Sequence, residues 1–246
     1  KKKNLKKMEV LGFPMLLYSN RIVITGGTGR FASSLKKVKS KYSVFFPSKS
    51  NLNILNENSI LKYLKKKKPK YLIHLAGLSR PMKIHENNIS QSINLNIIGT
   101  ANITNVCSKL GIKLIYFSSN YVYPGTKGNY KETDPLLPVN NYAWSKLGGE
   151  SSVQLYKNSL ILRISMTEKP FIHKKAFANV KSSFIYHEDV IEYLFKVINK
   201  KGVLNVGGKA QFIYDFAKKN NKKVVKDYLK KNSNHNIPFD LSLIHI

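Results

Sequence analysis

Apolar residues along this chain follow two alternating patterns. One is the short unbroken run: residues 22–24, then "KYSVFFPS", "KYLIHLAG", "IKLIYFSS" and "SLILRIS". Such continuous runs, rich in β-branched and aromatic side chains, are typical of strands buried on both faces. The other is a recurrence every three or four positions, which predicts helices. The first helix follows a glycine-rich turn and puts Phe31, Leu35 and Val38 on one face. "ILNENSILKYLKKKK" turns Ile60, Leu61 and Leu64 inward behind a polar cap near Asn56. "NNISQSINLNIIGTANITNVCSKLG" reads as one long helix closed by Gly111. A proline-rich loop over 124–138 leads to a helix that carries Tyr142. Strands and helices in this alternation predict an α/β fold, a doubly wound parallel Rossmann sheet with helices on both faces.

After Ser165 the alternation loosens. "SSFIYHEDVIEYLFKVINKKGVLNVGG" predicts a short strand, a helix capped near Glu188 or Asp189, and a strand ending at Gly207; a short helix over 211–219 follows. We expect a Rossmann domain over 21–165. Residues 166–240 should form a small C-terminal substrate-binding lobe and complete the sheet. Residues 1–20 read as an N-terminal extension. "PFDLSLIHI" offers no obvious closing element, so the last few residues are left out of the expected fold.

Composition narrows the functional classes. The chain has 246 residues, 42% hydrophobic, enough for one large domain with a satellite lobe. No apolar run reaches the roughly 18 residues of a membrane span. "KKKNLKK" followed by "VLGFPMLLY" resembles a secretory leader but lacks a small-residue cleavage site. No membrane partner is expected. The single cysteine, Cys107, excludes an internal disulfide framework and fits a reducing cytoplasm. The net charge of +29 suggests polyanions. Yet the cations are almost all Lys, spread over every segment, with Arg only at Arg21, Arg30, Arg80 and Arg163. Nucleic-acid readers favour Arg and aromatic side chains gathered on one face. The densest run, "LKKKKPK", falls where a helix should end, and Lys there offsets the helix dipole. We expect solvated surface lysine, loose attraction to polyanions at low salt, and no specific nucleic-acid partner. His74, His85, His173, His187, His235 and His245 show no paired metal-ligand spacing, so no metal is expected.

The chemistry begins at "TGGTGRFA", residues 25–32, between a strand and a helix. Gly26 permits a tight turn, Gly29 lets backbone N–H groups approach a pyrophosphate, and Ala32 lets the helix pack on the strand. Gly27, Thr28, Arg30 and Phe31 belong to the same dinucleotide-binding turn. A free ribose 2′-hydroxyl would call for an acid about 20 residues onward. Ser48 and Lys49 stand there instead, and Arg30 could serve as well, so the expected cofactor is NADP(H) rather than NAD(H). Asn53 lies at a turn suited to adenine. Further on, "YAWSK" sets Tyr142 and Lys146 four positions apart, on one face of a helix.

The spaced glycines, "HLAG", "NIIGT", "FSSNYVYPG" and "YAWSK" occur in that order. Together they resemble the extended short-chain dehydrogenase/reductase family over residues 21 to about 208. Within that family "SSNYVYPG" is most similar to the loop of the dTDP-4-dehydrorhamnose reductases. The resemblance implies an NAD(P)-dependent oxidoreductase acting on a nucleotide-activated sugar. It makes Tyr142 the proton donor, Lys146 the group that lowers the tyrosine's pKa and holds the nicotinamide ribose, and Ser119 the hydroxyl that orients the substrate oxygen. It also sets Leu75, Ala76 and Gly77 against the cofactor, and Ser79, Asn120, Tyr121 and Arg163 toward the substrate. Arg163 suits equally well a pair with an acid such as Glu150. His74 is expected beside the cofactor or in the core, Asp189 as a helix cap and Trp144 in packing.

Two departures matter. Asn120 and Tyr121 stand where the related 4,6-dehydratases carry an Asp-Glu pair, which argues against dehydration. The rhamnose-pathway reductases have Asp where this chain has Asn120, and their C-terminal substrate motif is not clear after Pro238. The expectation is therefore an NADP(H)-dependent reductase of a nucleotide-linked keto-sugar. An epimerase of the same family and a non-catalytic regulatory subunit that binds a sugar nucleotide or dinucleotide stand as alternatives, and a homodimer stays open.

Overall fold

A computed structural model describes residues 20–230 and 238–243. The leader-like start, His235 and His245 lie outside the described residues. The first half contains β1 (Arg21–Thr25), α1 (Arg30–Leu35), β2 (Ser43–Phe45), α2 (Glu57–Lys67), β3 (Tyr71–His74), α3 (Lys83–Asn87), α4 (Ile89–Ser92), a π-helical turn (Ile93–Ile98), α5 (Gly99–Leu110) and β4 (Lys113–Ser119). The second contains α6 (Asn141–Gln154), β5 (Ser159–Ile164), β6 (Met166–Thr167), β7 (Lys175–Phe177), β8 (Lys181–Ser182), β9 (Ile185–Tyr186), α7 (His187–Val197), β10 (Gly202–Val206), β11 (Gln211–Phe212), α8 (Ile213–Asn220), β12 (Val225–Asp227) and β13 (Asp240–Leu241).

Six strands form one parallel sheet in the order β10-β5-β4-β3-β1-β2. Alternate side chains of each strand feed opposite layers. Ile22, Ile24, Ile73, Ile115 and Leu162 pack with Phe31 and Leu35 of α1 and Val190, Ile191 and Leu194 of α7. Val23, Leu72, Leu114 and Ile161 pack with Ile60 and Leu64 of α2, Ile103 and Val106 of α5 and Val153 of α6. Both faces are thus covered, which is why these strands read as unbroken apolar runs. Strand order reverses between β1 and β3, so their C-terminal ends open a crevice at a switch point of the kind that binds ligands in such sheets.

Local chemistry ends the helices where expected in several places. Asn56 caps α2 by accepting from the Ser59 N–H, and Lys65, Lys66 and Lys67 fill its last turn. Gly111 closes α5 in the left-handed region at φ +67°. Asp189 accepts from the Tyr186 N–H at the start of α7.

Four expectations need correction. Helix α1 stops at Leu35, and Val38 is 43% exposed. The long helix over 87–111 is interrupted by the π-helical turn at Ile93–Ile98. Trp144 points outward and is 50% exposed rather than packed. The C-terminal residues set aside as having no closing element do have one. β13 pairs parallel with β8, and Leu241 and Leu243 are buried with Val122, Tyr123 and Tyr130. Gly125 and Gly128, at φ +72° and +70°, make room for Pro238 and Asp240. A two-residue strand carries no periodicity, so the pattern could not disclose it. Of the later elements, β10 and α7 complete the main sheet and its cover. β11-β8-β13 and β12-β7 form small separate sheets, and Phe171, Ala176, Tyr186, Phe216, Ala217 and Val224 make a second core.

Leu114 on β4 is fully buried. Leu114→Ala should destabilise the chain by about 2–5 kcal/mol through lost transfer energy and a cavity. Val38→Ala should stay within about 0.5 kcal/mol. Urea unfolding of the two variants checks this, and equal losses would contradict the layer assignment.

Candidate functional site

The glycine-rich turn is shaped by what surrounds it. Gly26 has φ +71°, and a Cβ there would lie 2.7 Å from the Ala76 nitrogen, so the turn packs directly on the backbone after β3. Thr25 fastens the two segments: its Oγ1 lies 2.7 Å from His74 Nδ1 and accepts from the Leu75 and Ala76 N–H groups at 3.2 Å. Thr28, Gly29 and Arg30 are exposed at the tip. A Cβ on Gly29 would meet only the Gly26 carbonyl, at 3.2 Å, so that side of the turn is open to a ligand's approach. Phe31 is buried, and its ring meets that of Phe117 at a tilt, 5.0 Å between centroids.

At the far end of β2, Ser48 and Lys49 are exposed and no acid stands beside them; Ser48 Oγ meets Ser50 Oγ at 2.7 Å. Asn53 is half-buried, and its Oδ1 is engaged by the Leu55 N–H within its own turn. His74 lies in the core, with Nε2 3.1 Å from Thr100 Oγ1. Burial, with Lys146 acting in the same direction, holds its pKa down at about 3. His74 is therefore neutral and serves as a hydrogen-bonding strut.

A second asparagine, unassigned by sequence reasoning, joins the loop after β3 to helix α6. Asn96, on the π-helical turn, accepts from the Leu78 N–H at 2.7 Å. It donates to the Leu78 carbonyl at 2.9 Å and to Ser145 Oγ at 2.8 Å. π-helical turns often re-aim one side chain in this way at functional sites. Its signal in the sequence is "NIIGT", the segment that Asn96 opens.

Helix α6 brings the reactive side chains together. Asn140 caps it by accepting from the Ala143 N–H at 2.9 Å. Ser119 ends β4, lies near enough to Tyr142 to bear on its pKa, and accepts from the Tyr121 N–H at 3.2 Å. The Tyr142 ring also meets the edges of His85 at 5.1 Å and Tyr121 at 5.9 Å. Burial raises the Tyr142 pKa, while the Ser119 hydroxyl and the Arg80 charge oppose the rise. Lys146 Nζ donates to the Phe117 carbonyl at 2.8 Å and sits 4.3 Å over the Tyr116 ring. Burial brings its amine down to about 7, and Glu150 pulls the other way.

The residues expected toward the substrate divide. Tyr121 is at the site, and Ser79 is exposed on the loop leading to Arg80. Asn120 is buried and donates to the Leu241 carbonyl at 3.0 Å, so its amide holds the C-terminal strand. Arg163 does not join the group. It is 3% exposed and donates to Glu150 Oε1 from Nη2 at 2.7 Å and from Nε at 3.1 Å. Its Nη1 donates to the Tyr123 hydroxyl at 2.8 Å. Of its two readings, the acid pair is the one the structure contains.

Sequence reasoning missed a polar cluster at the mouth. Arg30 pairs with Glu168 at 2.9 Å, and Arg80 Nη1 lies 3.4 Å from His173 Nε2. Burial pushes the Glu168 carboxyl up, but a hydrogen bond from its own backbone and the charges of Arg30, Arg80 and His187 leave it below the usual range. The scarcity of Arg was the one signal that Arg80 differs from the surrounding lysines.

Known proteins share this fold. The RmlD substrate binding domain family matches residues 20–178. Methionine adenosyltransferase 2 subunit beta of Xenopus laevis is 32% identical over 167 residues, 64% of this chain and 50% of that protein. The dTDP-4-dehydrorhamnose reductase of Aggregatibacter actinomycetemcomitans is 30% identical over 152 residues, 60% of this chain and 51% of that protein. The chain spans about half the length of the curated relatives it matches. Among solved structures, dTDP-4-dehydrorhamnose reductase from Bacillus anthracis in complex with NADP superposes with a TM-score of 0.82 at 22% identity, covering 93% of this chain and 91% of that one.

The buried neutral His74 makes stability depend on pH. An unfolded histidine titrates near 6.5. Between about pH 6.5 and 3 the unfolded chain therefore binds a proton that the folded chain does not, and stability falls as pH falls. His74→Gln should flatten that acid limb while costing about 1 kcal/mol at pH 7 for a weakened hydrogen bond. Urea unfolding at pH 7 and at about pH 4.5 reads both effects, and an unchanged acid limb would exclude His74 as the titrating group.

Proposed function

The chain belongs to the RmlD substrate binding domain family, and from that premise we propose that it is an NADP(H)-dependent reductase of a nucleotide-activated keto-sugar, working in the cytoplasm. The observation that carries this reading is the convergence of Ser119, at the end of β4, with Tyr142 and Lys146, one turn apart on α6, at the same end of the sheet as the glycine-rich turn. The turn's geometry fits a dinucleotide: Gly29 leaves its exposed side open and Gly26 holds a positive φ. Gly26, Gly27, Thr28, Gly29, Arg30 and Phe31 would hold the pyrophosphate region, and Leu75, Ala76 and Gly77 would line its neighbour. Asn53 would face the adenine, and Ser48 and Lys49 would favour a 2′-phosphate. When bound, the reduced nicotinamide supplies hydride to a carbonyl carbon.

The chain's own residues supply the rest. Ser119 hydrogen-bonds the carbonyl oxygen and orients it. Tyr142, protonated because burial raises its pKa, gives its proton to that oxygen as charge develops there, which is general acid catalysis by a positioned group. Lys146 holds the nicotinamide ribose and, once turned from the Phe117 carbonyl, stabilises the phenolate left behind. Ser79 and Tyr121 would face the sugar.

A second reading has its own support. Several curated relatives are methionine adenosyltransferase 2 beta subunits, from Xenopus laevis and from mammals, so a regulatory subunit that binds a dinucleotide without turnover is the alternative. A panel of nucleotide-linked keto-sugars followed by NADPH oxidation separates the two. We expect turnover, with Tyr142→Phe lowering the single-turnover rate about 10² to 10⁴-fold while leaving cofactor affinity intact. Tight cofactor binding with no turnover of any keto-sugar would favour the regulator. Gly29→Val should abolish NADP(H) binding in a folded protein by calorimetry, and stronger binding of NAD(H) than of NADP(H) would exclude the role of Ser48 and Lys49.

A further inference from the structure

Tyr142, Lys146 and Glu150 follow one another at intervals of four on α6, so they lie along one face of the helix. Glu150 is 1% exposed, an unusual place for a carboxylate unless it is partnered. Ser118 Oγ donates to its Oε2 at 2.6 Å, and Arg163 donates to its Oε1 from two nitrogens at 2.7 and 3.1 Å. Arg163 is itself held by the Tyr123 hydroxyl at 2.8 Å and the Glu132 carbonyl at 3.0 Å. Three elements thus converge on one acid: the end of β4 through Ser118, β5 through Arg163, and α6, on which it sits.

We propose that Glu150 is a positioning residue of the Ser119, Tyr142 and Lys146 site: its buried carboxylate keeps the Lys146 ammonium charged and ties the end of β4 to α6. The inference rests on the reductase reading for its catalytic consequence alone. A buried carboxylate with no partner would take up a proton. Glu150 has its partner in Arg163, and one helical turn from Lys146 it opposes the loss of charge that burial imposes on the amine. The other groups around the amine cannot replace it. His74 on β3 is neutral, and Tyr116 on β4 is held protonated by burial and by Glu150 itself. Tyr142 is protonated at neutral pH. Glu132 meets the pair on its far side, through the carbonyl that accepts from Arg163. The Ser118 bond also fixes the residue beside Ser119, so one acid governs both the charge of the lysine and the seat of the substrate-orienting hydroxyl.

The test follows the lysine directly. In protein carrying ¹³Cε-lysine, the Lys146 signal is assigned by its loss in Lys146→Met and titrated by NMR. In the wild type its midpoint should lie at about 7. Glu150→Gln should lower that midpoint by about one unit or more, a tenfold loss of ammonium at a given pH above it. Glu150→Gln leaves Arg163 buried without its acid, so the double variant Glu150→Gln/Arg163→Met provides a neutral pair and should show the same shift. Glu150→Asp, which keeps a carboxylate opposite Arg163, should titrate close to the wild type. NADPH affinity in Glu150→Gln should fall as pH rises through about 6, a unit or more below the pH at which the wild type's falls, and approach the wild type's at about pH 5. A wild-type midpoint in the folded Gln or double variant overturns the proposal, and so does an affinity loss that is equal at every pH. If no keto-sugar is turned over, the NMR titration still decides the role of Glu150. Turnover with an unmoved titration would refute that role and leave the reductase standing.

Discussion

The distance at which helix α6 lies on the sheet is fixed by two residues without side chains. A Cβ on Gly149 would collide with the Asn96 carbonyl oxygen and lie 2.8 Å from the Tyr116 hydroxyl, and one on Gly148 would lie 2.8 Å from Ile97 Cδ1. At Gly149 the neighbour is backbone, so only glycine allows the helix so close; at Gly148 it is the end of the Ile97 side chain, which can give way. Everything at the site depends on that closeness. It lets the Tyr116 hydroxyl reach the Lys146 carbonyl at 3.2 Å, Lys146 reach the Phe117 carbonyl, and Asn96 reach Ser145. A helix displaced by one methyl group would lose these bonds together, because a positioned site tolerates errors well below an ångström.

The charge of the chain has to be read in two populations. Forty-two Lys and Arg stand against thirteen Asp and Glu, so acids are scarce and their positions are informative. Several make surface pairs, such as Lys109 with Glu57 and Lys196 with Glu192, worth about 0–1 kcal/mol each. Glu150 and Glu168 differ. The first is buried against Arg163, and the second gathers Arg30 and the charges of Arg80 and His187 at the mouth of the crevice. The excess lysine is mostly solvated, as on the last turn of α2. The few arginines are where geometry matters, in keeping with a planar fork of donors that lysine lacks.

How much of this could be read in the sequence follows from periodicity and range. The strands and helices of the sheet were legible because burial on both faces leaves unbroken apolar runs, and the caps at Asn56 and Gly111 are local chemistry. Tyr142, Lys146 and the glycine-rich turn were legible because each is a short motif between well-marked elements. The rest depends on contacts between residues far apart in the chain. Arg163 meets Glu150 across the gap between strand and helix, Asn120 turns to Leu241, and Glu168 reaches back to Arg30. The end of α1 before Val38, the outward face of Trp144 and the two-residue β13 have no pattern of their own. Spacing on a helix discloses a lysine near Tyr142, but not that its amine donates to the Phe117 carbonyl.

The raised pKa of Tyr142 sets a cost the chemistry must meet. A phenol above its ordinary value is protonated at neutral pH, as a free tyrosine also is, and holds its proton more tightly. Burial opposes the phenolate whether the tyrosine reaches it by giving a proton to a carbonyl or must start from it as a base, so groups that favour the anion are needed in either direction. A subunit that only held a dinucleotide would need the open turn at Gly29 and the grip of Lys146. It would not need groups that favour the Tyr142 phenolate, yet the Ser119 hydroxyl and the Arg80 charge both do so against the pull of burial.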